Sequence, residues 1–124
     1  MKRPRIYNNP ENCPVLHTAH ILGSKWNPVI LYCLMNGNVR FGKFTVLIPT
    51  ISRKVLSEQL KELEHHGLII RKVYREKPPR VEYSLSPKGL SIIPVIDAMC
   101  AWGRGDMENP ASLSVYPKQE ISDH

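Results

Sequence analysis

Three cysteines, Cys13, Cys33 and Cys100, and two histidine pairs, His17 with His20 and His65 with His66, are the side chains here best suited to redox or metal chemistry. Their spacing favours neither a disulfide framework nor a zinc ribbon, because the cysteines are odd in number and none lies in a CxxC step. His17 and His20 stand one helical turn apart, yet no third ligand with suitable spacing follows, and His65 and His66 close a different helix. No metal or cofactor is expected. A glycine-rich phosphate loop, a paired-carboxylate motif and a Ser/His/Asp set are all missing, and a thiol oxidoreductase of this size would want a resolving cysteine nearby. An enzyme is therefore the least favoured reading. Cys13 stands apart as a candidate redox sensor, because it precedes Pro14 at the expected start of a helix. There, unpaired N–H groups and the positive end of the dipole favour a thiolate. Cys33 lies in the most apolar segment and Cys100 beside Met99, Ala101 and Trp102, so both are expected to be buried, inert thiols.

The stronger chemical signal is charge. The chain has 124 residues and 17 Lys and Arg against 11 Asp and Glu, a net charge of +6 that points to a polyanionic partner. The excess is local: residues 40–88 hold eleven basic and five acidic side chains, whereas residues 97–124 hold two basic and five acidic ones. Within the basic stretch, "ISRKVLSEQLKELEHHG" places Leu56, Leu60 and Leu63 on one helical stripe. At 100° per residue, Lys54, Ser57, Glu58 and Lys61 project away from that stripe, with Ser52 and Arg53 at the helix start. Next, "VEYSL" alternates with a period of two, and "LIIRKVY" is its natural antiparallel partner. "REKPPR" between them cannot continue a ladder, because Pro78 and Pro79 lack donors, so a protruding tip carries Arg75, Lys77 and Arg80. Arg40 and Lys43 flank this region.

The elements that must position these groups can be read on either side. A chain of this length supports one domain. Pro14 suits the first position of a helix whose Val15, Leu16, Ala19 and Leu22 share a face before Gly23. A second helix is expected over residues 24–35, capped by Ser24 or Asn27 and apolar on nearly every side, hence central to the core. "VRF" allows a small strand, and "GKFTVLIPT" a brief helix closed by Pro49. Gly67 is a natural stop for the leucine-striped helix. Ser86 and Pro87 read as cap and first turn of a last helix, with a kink at Pro94.

Short helix, turn, second helix and basic hairpin together make an α+β, mainly α, winged helix-turn-helix. A helix about 10 to 12 Å across fits the major groove of B-DNA, and a cationic hairpin beside it reaches backbone phosphates or the minor groove. A winged-helix module that meets an acidic protein partner stays open as the alternative.

"CPVLHTAHILGSKW", "RFGKF", "ISRKVLSEQLKELEHHGLI" and "VYREKPPRVEYSLSPKGLSIIPVIDAMCAWG" resemble the HxlR-type bacterial and archaeal transcription regulators, relatives of the MarR-like winged helices, over residues 13 to 105. The resemblance implies dimeric DNA binding, a recognition helix over residues 52–66 and a wing over residues 68–85. Some members of that family carry a cysteine at the position of Cys13 and use it to sense oxidants or electrophiles. "LGSKW" and "NPVI" depart from the usual pattern away from the DNA face.

The last helix supports a homodimer independently. Leu90, Ile92, Ile93, Val95, Ile96, Ala98, Met99, Ala101 and Trp102 leave it almost no polar face, and too little chain remains to cover it. A second subunit is the expected cover, with Leu16, Ile92, Ile96, Met99 and Trp102 in the interface and an inverted-repeat duplex as target. Residues 1–12 are expected to form a flexible basic arm and residues 106–124 a mobile acidic tail. The longest apolar run, "PVILYCLM", is far short of the ~20 residues a membrane span needs. The start of the chain does not read as a signal peptide, so a cytoplasmic protein is expected.

Overall fold

The structure is a computed structural model that describes residues 12–109, so most of the expected N-terminal arm and the expected tail beyond residue 109 lie outside the described residues. Two helices come first: α1, Pro14–Ile21, and α2, Trp26–Cys33, which tightens into a 3₁₀ turn over Leu34–Asn36. Of the two expected caps for α2, Ser24 is the one used: its hydroxyl accepts from the backbone amides of Trp26 and Asn27 at 3.2 and 3.1 Å. Helix α2 is apolar as expected; its Ile30 and Leu31, with Leu34 in the following turn, enter the core and Asn27 is buried beside them, while Val29 and Tyr32 face outward.

The basic half of the chain opens with β1 (Val39–Arg40) and α3 (Phe41–Leu47). Helix α4, Arg53–His65, follows a short turn, and the Ser52 hydroxyl accepts from the amide of Val55 at 3.1 Å to cap it. It ends in a Schellman turn. Gly67 takes φ 75°, its amide reaches Glu64 O at 2.9 Å, and the Leu68 amide reaches Leu63 O at 3.0 Å. Leu63 and Leu68 are both buried across that turn, which fixes the direction in which the chain leaves α4.

It leaves as β2, Ile69–Tyr74, and returns as β3, Arg80–Leu85, in a three-stranded antiparallel sheet of order β1-β3-β2. The register pairs Val73 with Val81, Arg71 with Tyr83 and Val39 with Tyr83 on the other side. Val81, Tyr83 and Leu85 accordingly face the core, as the alternation required. Leu56, Leu60 and Leu63 of α4 meet Ile30 and Leu31 of α2, Phe44 of α3, Leu68 and Tyr83 in one cluster. Each such side chain contributes on the order of 1.5 to 3 kcal/mol of burial.

The C-terminal segment corrects two expectations. Instead of one kinked helix, Pro94 separates α5 (Pro87–Ser91) from α6 (Ile93–Glu108), because its ring and missing N–H cannot continue the ladder from the preceding turn and instead suit a new first turn. Helix α6 also runs to Glu108, so residues 106–108 are helical and not part of a tail. Ser86 caps α5 as expected, its hydroxyl accepting from the amide of Gly89 at 2.9 Å. Gly89 packs so closely on the carbonyl of Leu68 that a Cβ there would overlap it.

Candidate nucleic-acid interface

Helix α4 docks by its leucines and turns the opposite edge outward. Arg53, Lys54, Glu58 and Lys61 are exposed, and Ser57 is half-buried between them. Lys54 Nζ lies 4.0 Å from Glu58 Oε2, one turn on, an exposed pair too weakly held to neutralise either group. The Arg53 guanidinium sits 5.0 Å over the ring of Phe41, so the first side chain of α4 is steadied by α3. Lys43 is exposed on α3, one turn from the segment that leads into α4.

Arg75 and Lys77 are exposed at the hairpin tip. Arg80 does not join them. It is half-buried at the first position of β3, with Nη1 2.9 Å from Glu76 Oε2, Nε 3.1 Å from Glu82 Oε2 though not aimed along that contact, and its guanidinium 3.9 Å over the ring of Tyr74. Two carboxylates and a ring thus occupy a cation expected at the DNA surface. Arg40 is drawn toward the same Glu82, at 3.9 Å, while the Asn38 amide donates to the other carboxylate oxygen at 3.4 Å. The last rungs of the hairpin before its tip are therefore a brace of mixed charge, while Arg75 and Lys77 at the tip are exposed. Sequence reasoning missed Arg71 and Lys72, both exposed on β2. The signal was there, since two adjacent basic residues on an edge strand cannot both point into a core.

The remaining candidates distribute unevenly. Cys13 is buried, so the thiol expected at the start of α1 is there but is sheltered from solvent. Cys33 is half-buried, less enclosed than expected, and that partial burial pushes its thiol above its ordinary 9.0. Cys100 is only half-buried, with Arg104 Nη2 3.5 Å and Tyr32 Oη 3.9 Å from its sulfur, so it is less sheltered than its apolar neighbours suggested. Val15 and Leu16 of α1 and Met99 and Trp102 of α6 stand exposed, whereas Ile92 is half-buried. Ile96 is turned into the core against α2, so little of it is left exposed. Pro28, Val29, Tyr32, Ile96, Met99 and Cys100 line an apolar groove of about 270 Å³ between α2 and α6. The structure brings His20 beside His66, ring centres 6.4 Å apart, but no group of three His, Cys, Asp or Glu among the described residues is placed to hold a metal.

A capped helix docked by leucines, a preceding short helix and a braced cationic hairpin form a helix-turn-helix with its wing, and the family model for the HxlR-like helix-turn-helix matches residues 21–110. The chain belongs to the HxlR-like helix-turn-helix family. It is 47% identical over 110 residues to the HTH-type transcriptional regulator YdeP of Bacillus subtilis (strain 168), covering 89% of this chain and 86% of YdeP. Among solved structures, the redox regulator HypR in its reduced form matches with a TM-score of 0.75 at 36% identity, over 80% of this chain and 98% of HypR. The transcriptional regulator YodB of B. subtilis in its reduced form matches with a TM-score of 0.66 at 40% identity, over 79% of this chain and 96% of YodB. This HxlR-like chain is thus a helix-turn-helix transcriptional regulator, with α4 as the second helix of the motif and β2 and β3 as the wing. No described helix is long and apolar enough to cross a membrane.

Proposed function

We propose that this regulator binds an inverted-repeat operator as a two-fold homodimer, α4 of each subunit lying in the major groove and each wing tip on the backbone or in the adjacent minor groove. The observation that carries this reading is the outward edge of α4. Lys54, Ser57, Glu58 and Lys61 are offered by a helix whose opposite side is locked by three buried leucines, so its polar edge is free for base contacts. Arg71, Lys72, Arg75 and Lys77 add the sequence-independent attraction that releases counterions. Uncovered apolar side chains on α1 and α6 support the dimer, since Val15 and Trp102 are 77% and 64% exposed in the single chain. A two-fold pair would set half-site centres about 34 to 36 Å apart, or a multiple of that. Such a protein works where the chromosome is, in the bacterial or archaeal cytoplasm.

Selection of duplexes from a random pool, followed by titration at several salt concentrations, tests the reading. An enriched inverted repeat and a steep salt slope are expected; binding of acidic protein with no duplex preference would favour an interaction module instead.

Thiol sensing through Cys13 is a second reading, favoured by the likeness to HypR, a redox regulator. The burial of Cys13 means that reaction would wait on local opening at the start of α1. An oxidant response of operator binding that survives Cys13→Ser would remove Cys13 from the mechanism.

A further inference from the structure

The side of α4 that faces neither DNA nor the leucine core carries a polar joint. The Asn27 side chain, on α2, is fully buried; its Nδ2 donates to the carbonyl of Ile21 at the end of α1, at 3.2 Å, and to Glu62 Oε1 of α4, at 3.1 Å. Both neighbours are acceptors, so the amide can turn only its nitrogen toward them, and Oδ1 is left buried without a partner. One turn away the Ser24 hydroxyl donates to Gln59 Oε1 at 2.9 Å while it caps α2. The joint therefore spans three helices, with Gln59 and Glu62 as successive-turn anchors on one edge of α4.

Its energetic logic differs from that of the leucines. Leu56, Leu60 and Leu63 hold α4 by dispersion and burial, which is non-directional and tolerates small rotations about the helix axis. Hydrogen bonds from a buried amide do not, because they weaken steeply once the angle departs from linear. A buried side chain with an unsatisfied acceptor is a stability liability, and Leu in its place would remove that liability. Resting on the DNA-reading role proposed above, we infer that Asn27 and Ser24 are positioning residues for sequence recognition: through Glu62 and Gln59 they fix the rotation of α4 and so the direction in which Lys54, Ser57 and Lys61 meet base edges.

The test uses the duplex that the wild-type chain selects from a random pool, and a scrambled duplex of the same composition. Asn27→Leu and Glu62→Ala should each lower the ratio of selected to scrambled affinity by about tenfold, the effect of one misplaced base contact. Glu62→Gln, which keeps the acceptor, should stay near wild type, and the Asn27→Leu/Glu62→Ala double variant should lose no more than either alone. An unchanged ratio beside a shifted melting temperature would reduce the joint to packing and overturn the inference; additive losses would do so too, by showing that Glu62 acts on DNA without Asn27. Should Asn27→Leu not fold, Gln59→Ala and the two Glu62 variants decide by the same ratio. A wild-type chain that selects no duplex would overturn the operator reading itself, and the joint's role with it.

Discussion

The guanidinium of Arg80 lies 3.9 Å over the ring of Tyr74, across the two strands of the wing, while Glu76 and Glu82 bracket its charge. One of three arginines and lysines expected at the tip is thus part of the hairpin's frame. Arg75→Ala or Lys77→Ala should lower affinity for operator and random duplex alike, and each should flatten the logarithmic salt slope by about one. Arg80→Ala should leave that slope nearly unchanged and cost about 1 to 3 kcal/mol of stability, from the lost charge-assisted contacts. Salt-dependent titration and denaturant unfolding separate the two effects.

On α4 the expected losses are selective. Lys54→Ala and Ser57→Ala should weaken operator binding by roughly tenfold or more while random-duplex binding changes far less, because base contacts specify and phosphate contacts position. Equal losses on both duplexes would show that neither side chain reads sequence.

Removing the cap is a different matter. Ser52→Ala leaves the Val55 amide without its acceptor and should cost about 1 kcal/mol of stability, read as a lower denaturant midpoint at unchanged slope.

The close approach of α5 to the wing predicts a sharp intolerance. Gly89→Ala would drive a methyl into the carbonyl of Leu68, where backbone and not a flexible side chain must yield. Its effect should match a core truncation such as Leu60→Ala, on the order of 2 to 5 kcal/mol, although the change only adds a carbon. Thermal melts of both variants check this.

Cys33 gives the pH dependence its sign. Its thiol is raised above 9.0 by burial, so the folded state favours the protonated form. That contribution is complete below the ordinary value and is lost as pH rises through the raised one. Stability of the wild type should therefore fall more steeply above pH 9.0 than that of Cys33→Ala, with the two curves parallel near neutrality.

Assembly is checked by light scattering at micromolar concentration, where a dimer is expected. Trp102→Glu or Leu16→Glu, at exposed positions that leave the core intact, should shift it to monomer and weaken operator binding with it.

Much of this protein was written locally. The i, i+4, i+7 leucines of α4, the Ser52 cap, the Gly67 stop and the alternation of β3 each draw on interactions within a turn or a strand pair, so the winged helix-turn-helix and the outward edge of α4 were legible from residue spacing alone. Pro94 was legible too, although its effect was underestimated: a kink was expected where a new helix begins. What only the tertiary structure decided concerns which side chains meet at a distance. Arg80 was a cation at a tip until Tyr74, Glu76 and Glu82 closed around it, and Ile96 was one apolar residue among nine until α2 took it into the core. Cys13 was a helix terminus until packing buried it. The joint of Ser24 and Asn27 with Gln59 and Glu62 bridges partners 35 residues apart in each pair. Periodicity tells which way a side chain points from its own element; the charge, burial and hydrogen-bond partner it finds there depend on which other element packs against that face.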